Sequence, residues 1–165
     1  MITEVHRLLG IDPSLCKTGW GIIDTIDNDF THISHGTILT KSKWSTEARL
    51  AFISSSILKI IEEYSPTIVI IEDTFCGINP VTNLRLGFAS GAIMSIAGTC
   101  NLCVHRYPTR LVKRVIANHG SADKEQIAIK VKKMLNLIEI NSLDASDALA
   151  VALTHAIQNG ATHGQ

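Results

Sequence analysis

The chain has little that could staple or anchor it. Four cysteines, Cys16, Cys76, Cys100 and Cys103, are too few and too scattered among 165 residues for a secreted disulfide framework. Cys100-Asn101-Leu102-Cys103 has the gap of half a zinc site, but no second pair completes four ligands. It precedes an apolar strand rather than opening a helix, which argues against a redox pair. Reduced thiols in a cytoplasmic protein are the expectation. No uncharged apolar run approaches 18 residues, which excludes a membrane-spanning helix, and Met1–His6 lacks the basic-then-apolar layout of a leader. The glycines of the first loop, Gly10, Gly19 and Gly21, do not make a dinucleotide fingerprint. Walker and nucleophile-elbow motifs are absent, and none of the seven histidines has ligand spacing with another. Net charge is also missing: fifteen basic side chains balance fifteen acidic ones, which at first weighs against a nucleic-acid binder. What is present is 45% apolar content without low-complexity tracts, enough for one compact domain over residues 1–165.

The zero is a sum of unlike segments. Residues 1–105 carry seven basic and ten acidic groups, and residues 134–165 carry only Glu139, Asp144 and Asp147. Between them, residues 106–133 hold eight basic groups against Asp123 and Glu125. A basic run is often no more than a solvated helix face. Segregation by segment also fits a stripe that binds a polyanion.

Hydrophobic spacing predicts the elements. Arg7–Asp12 and Thr18–Asp24 read as two strands joined too tightly for a crossover helix, hence antiparallel. Residues 30–38 alternate as a third strand, with Phe30, His32, Ser34 and Gly36 on one face and Thr31, Ile33, His35 and Thr37 on the other. An amphipathic helix over 45–64 ends at Pro66, and Thr67–Glu72 is a β-branched strand of the kind buried on both faces. A small-residue helix over 81–98 sets Gly87 and Gly91 one turn apart, for close approach to the sheet or to a second subunit. A strand over 102–107, a basic helix opened by Pro108, a helix over 123–135 and a last helix from Asp144 to about Gln158, stopped by Asn159-Gly160, complete the order. This predicts a single-domain α/β fold, a mixed sheet with helices on both sides.

Carboxylates end the hydrophobic runs. Asp12 closes the first strand, Glu72 closes the most apolar one, and Asp144 and Asp147 share one face at the start of the last helix. Taken singly, Asp144 could cap its helix with Asp147 in a capping box, Glu72 could pair with an arginine, and Asp12 could be a turn residue before Pro13. One explanation covers all four: oxygen ligands for divalent magnesium or manganese. Two such ions activate water and stabilise the leaving oxygen in phosphodiester cleavage.

Leu9-Gly-Ile-Asp-Pro13 with Thr18-Gly-Trp-Gly21, Ile71-Glu-Asp-Thr-Phe75, Tyr107-Pro-Thr-Arg-Leu-Val-Lys113, Gly120-Ser-Ala-Asp-Lys-Glu-Gln126 and Asp144-Ala-Ser-Asp-Ala-Leu-Ala150 together resemble the RuvC family of bacterial Holliday-junction resolvases, in order from about residue 7 to 157. The resemblance implies a ribonuclease-H-like fold with a mixed five-stranded sheet, a homodimer, and two Mg2+ per subunit with Mn2+ as a substitute. It places the four metal-binding, catalytic acids on Asp12, Glu72, Asp144 and Asp147. It places phosphate-facing lysines on Lys113 and Lys124, beside Arg110 and Arg114, and a base-stacking aromatic on Phe75. The implied chemistry is two-metal hydrolysis. Asp12 with Asp144 or Asp147 would hold the ion at the attacking hydroxide, and Asp12 with Glu72 the one at the departing 3′ oxygen, leaving 5′-phosphate and 3′-hydroxyl ends. Lys113, Lys124 and the helix start near Asp123 would hold phosphates. Four-way junction DNA and a branch-migration motor of the RuvA and RuvB type are the implied partners, in the cytoplasm and away from membranes. Ser14, where the family's first loop usually has glycine, and His119 depart from the pattern. Alternatives are a related nuclease acting on RNA–DNA hybrids and a junction-binding module without catalysis.

Overall fold

The computed structural model describes residues 5–26, 29–73 and 79–160. Five strands, β1 (His6–Asp12), β2 (Lys17–Ile26), β3 (Asp29–Leu39), β4 (Ile68–Asp73) and β5 (Cys103–Pro108), form one sheet in the order β3-β2-β1-β4-β5. The first three run as an antiparallel meander, and β4 and β5 join parallel to β1. The β1–β2 loop departs from glycine at Ser14 without losing its turn. The Ser14 hydroxyl accepts from the Cys16 amide at 3.2 Å, and its carbonyl accepts from Thr18 Oγ1 at 2.6 Å.

Strand parity sorts the core into two layers. Leu8, Ile23 and Ile70 face α3 (Thr109–Ala117), α4 (Lys124–Met134) and α5 (Leu143–Gly160). Leu9, Ile11, Ile22, Val69 and Ile71 face α1 (Thr46–Tyr64) and α2 (Pro80–Thr99). The predicted mixed sheet with helices on both faces is therefore realised.

α5 lies against the sheet with nearly every residue from Ala145 to Ala156 buried, as expected of a helix apolar almost all round. It comes this close because β1 and β2 present glycine. A Cβ on Gly10 would stand 2.0 Å from the Ala148 carbonyl oxygen, and one on Gly19 2.0 Å from that of Asp144. The Ser142 hydroxyl, not Asp144, accepts from the Ala145 amide at 3.1 Å at the start of this helix. Its far end runs on through Asn159 and Gly160 rather than stopping there, with the Asn159 side-chain Nδ2 donating to the His155 carbonyl.

One other expectation changes and one open alternative is narrowed. The strict alternation of β3 breaks where Ser34 pairs with Ile22 but His32 with Ile23, leaving Ile33 as an extra residue. The bulge turns His32 and His35 to the same side, their ring nitrogens 2.8 Å apart. Cβ atoms on Gly87 and Gly91 would meet nothing within 4 Å, so that stripe does not pack on the sheet. α2 reaches the core through Ala89, Ile93 and Ala97 and leaves Val81, Leu84 and Phe88 exposed. No helix among the described residues is long and apolar enough to cross a membrane.

Candidate functional site

The parity that sorts the core also aims the acids. Leu8, Gly10 and Asp12 share one face of β1, and Ile68, Ile70 and Glu72 share the same face of the neighbouring parallel strand β4. Both acids stand at the ends of adjacent strands, on the side covered by α5. Asp147, in the second turn of α5, is the exception to that helix's buried run and points to the same place. Carboxylate oxygens of Asp12, Glu72 and Asp147 all lie within 4.8 Å of one another.

The wall around them comes from α3 and α4. Thr109, Val112 and Lys113 line the cleft from α3, and Lys124 and Ile127 from the start of α4. Lys124 Nζ lies 2.6 Å from Asp147 Oδ2. Lys113 acts by charge on Glu72 and Asp147. The Thr109 hydroxyl is buried without a hydrogen-bond partner of full geometry, yet close enough to ease the charge on Glu72.

Three acids at this spacing resist ionisation. Burial, then repulsion from Glu72, Asp147 and Asp144, pushes the Asp12 carboxyl up to about 8, against a pull from Lys124. Glu72, 6% exposed, is pushed up to about 7 by burial and by Asp147, while Thr109, Lys124 and Lys113 pull the other way. Burial raises Asp147 as well, partly offset by its contact with Lys124. Burial alone would lower the Lys124 ammonium, but the bond to Asp147 and the surrounding acids outweigh it and hold it above its ordinary value.

This donor set fits a hard divalent cation: several carboxylate oxygens, no sulfur or imidazole among the described residues, and a buried hydroxyl with no bond of full geometry. Such a cation would offset the burial and the repulsion that hold protons on Asp12 and Glu72 near neutral pH.

Of the four acids singled out from the sequence, three converge. Asp144 lies one turn before Asp147, half-buried and outside the three-acid cluster, its charge felt by Asp12, Asp147 and Lys124. Lys113 and Lys124 are in the wall, whereas Arg110 and Arg114 are exposed on α3 outside it. The Arg110 stem passes beneath Gly120, where an added Cβ would come within 3.0 Å of its Cγ. Phe75 falls outside the described residues. The expected phosphate site at the start of α4 is altered by a capping box. Asp123 accepts from the Gln126 amide at 2.8 Å, and the Gln126 side chain accepts from the Asp123 amide at 3.1 Å, so the helix caps itself. Thr109, Val112 and Ile127 were not anticipated. Helical spacing could have found them, since Thr109 lies three and four residues before Val112 and Lys113, and Ile127 three after Lys124.

Comparison with known proteins agrees with this geometry. Residues 8–155 match the family described as crossover junction endodeoxyribonuclease RuvC. A crossover junction endodeoxyribonuclease RuvC from Paramagnetospirillum magneticum is 38% identical over 154 residues, 93% of each chain. One from Rickettsia prowazekii is 42% identical over 148 residues, covering 89% of this chain and 94% of the relative. Among solved structures, T. thermophilus RuvC in complex with a Holliday junction substrate superposes with a TM-score of 0.88. It is 27% identical, over 95% of this chain and 96% of that one.

Proposed function

The chain belongs to the RuvC family of crossover junction endodeoxyribonucleases, and from that premise we propose that it resolves four-way DNA junctions by paired nicks made with Mg2+. One observation carries the reading. Asp12, Glu72 and Asp147 converge within 4.8 Å in a cleft whose rim bears Lys113 and Lys124, so acids for metal and cations for phosphate face one space. Asp144, one turn before Asp147 on the same helix, would be the fourth ligand by the family resemblance, its charge already acting on Asp12 and Asp147. When bound, the metal pair supplies charge at the attacking and leaving oxygens. The chain's own residues do the rest. Asp12, which stands between Glu72 on β4 and Asp147 on α5, would be a ligand together with either neighbour. Val112 and Ile127 keep one side of the cleft dry, which strengthens every charge interaction inside it. Lys113 and Lys124 hold the scissile phosphate, with Arg110 and Arg114 contacting DNA farther out, and the family resemblance adds Phe75 as a DNA contact.

Symmetric nicks call for two sites, and α2 supports a homodimer: Val81, Leu84 and Phe88 are exposed on a helix whose Gly87 and Gly91 face open space. The family resemblance adds a RuvA- and RuvB-type motor as partner and the cytoplasm as location. A labelled mobile four-way junction, with and without Mg2+, tests the reading. The natural chain is expected to give paired, ligatable nicks only with metal, and Asp147→Asn at least a hundredfold fewer. Cleavage of RNA–DNA hybrids in preference to the junction, or no nicks at all, would overturn it.

A further inference from the structure

Lys124 does something in this structure that a phosphate ligand would not need to do: it holds a carboxylate. Its ammonium sits 2.6 Å from Oδ2 of Asp147, one of the three clustered acids, and its charge also reaches Asp12 and Glu72. The two partners differ in freedom. The Asp147 side chain is 13% exposed and fixed on a buried helix, while that of Lys124 is 55% exposed. The Lys124 backbone is anchored by the Asp123–Gln126 capping box, so the base of the side chain is fixed and its tip can swing. A divalent ion claiming Asp147 would meet an ammonium already on that carboxylate. Two cations on one partly buried carboxylate repel, and the one on a flexible tether facing solvent is the one that leaves.

We infer that Lys124 is a tethered counter-cation, displaced from Asp147 by the incoming divalent ion and thereby released toward a phosphate of the DNA. In the metal-free protein it holds the acids together. In the loaded protein the same group is available to substrate, so metal and DNA favour each other through one side chain, and the coupling is reciprocal. The inference rests on the proposed metal-dependent reading of the acids and adds a sequence of events to it. Lys113 provides the control, because it carries the same charge and acts on Glu72 and Asp147 without an ion-pair contact to either.

The test is binding of Mn2+ alone to the full chain without DNA, followed by the electron spin resonance of free Mn2+. Lys124→Gln is expected to bind Mn2+ roughly two- to fivefold more tightly than the natural chain, the worth of a partly exposed ion pair. Lys113→Gln is expected to gain less, and Lys124→Arg to keep the competition. A second readout needs no altered cleft: in 15N-lysine protein, the Nζ resonance of Lys124, assigned by its loss in Lys124→Arg, should move on adding Mg2+ toward that of a solvent-exposed ammonium. Equal gains for Lys124→Gln and Lys113→Gln, or a Lys124 resonance unmoved at saturating Mg2+, would overturn the exchange and leave the nuclease reading standing. Failure of the natural chain to bind Mn2+ at all would overturn both.

Discussion

Asp12→Asn should make the metal-free protein more stable while removing its activity. Asp12 is held at about 8 against an ordinary 3.8, first by burial and then by its acidic neighbours. A carboxyl raised on folding gives stability that is fully present below its unfolded value, near 4, and is lost as pH rises through about 8. At about 1.4 kcal/mol per pH unit, that gap sets a ceiling of about 6 kcal/mol at pH 8. Protons shared among the three acids lower the realised gain to roughly 2–3 kcal/mol, because the proton uptake belongs to the cluster and only part of it to Asp12. For a domain of this size, that raises the melting temperature by about 5–10 °C. The assay is thermal unfolding in a chelator at pH 8 and at pH 5. At pH 5 the ceiling falls below about 2 kcal/mol, so the gain should shrink to about 2–3 °C. Excess Mg2+ should reverse the order at pH 8, since only the natural chain gains from the bound ion. A variant no more stable at pH 8, or equally stabilised at both pH values, would refute electrostatic strain as the state of this site.

Other perturbations test the frame and the surface. Gly10→Ala puts a Cβ 2.0 Å from the Ala148 carbonyl, so α5 must move off β1. A loss of about 3 kcal/mol or more in urea unfolding is expected, and a change under about 1 kcal/mol would mean the contact is not tight. His155, 5% exposed, accepts or shares a proton with Tyr107 Oη at 3.0 Å and is lowered to about 4 by burial, His105 and His6. It therefore gives stability present above about 6.5 and lost as pH falls toward 4. His155→Gln should flatten that limb, whose height is at most about 3 kcal/mol. Two divalent ions would turn a net charge of zero into about +4 per subunit. Junction affinity, read by fluorescence anisotropy, should thus rise with Mg2+ and fall steeply with salt, with a log–log slope of several units. A flat salt dependence would show that the basic segment 106–133 stays off the DNA.

The part of this molecule legible in its sequence is the part set by local pattern. Strand and helix order, the antiparallel start and the placement of Asp12 and Glu72 at strand ends all follow from runs of apolar residues broken by a carboxylate. What pattern could not give is contact across elements. The bulge at Ile33 depends on how β3 meets β2, and it puts His32 beside His35, where a period of two keeps them apart. Asp144 reads from the sequence as the twin of Asp147, three residues away on one helix. Only where α5 lies along the strand ends decides that Asp147 reaches the cluster while Asp144, one turn earlier, stays outside it. Thr109 was overlooked because a threonine after proline looks like an ordinary helix start, and its value lies in the neighbour it meets, Glu72.

The same contact geometry explains why the acids can be held so close at all. Like charges at this spacing would push flexible side chains apart, and each acid here is fixed by something that cannot yield. Asp12 and Glu72 stand at the ends of adjacent parallel strands, where ladder hydrogen bonds set their separation. Asp147 rides on a helix seated directly on Gly10 and Gly19, and Gly19 is the residue paired with Asp12 across the β1–β2 ladder. A larger residue at either glycine would lift Asp147 away from its partners and relieve the repulsion, at the expense of the metal site. Close packing thus imposes the strain, and a cation, whether the Lys124 ammonium or a divalent ion, relieves it. It follows that the stability lost at Asp12 and Glu72 and the affinity for metal should vary together. A substitution that loosens α5 should lower both, and one that only removes charge, such as Glu72→Gln, should raise stability in chelator while weakening Mn2+ binding.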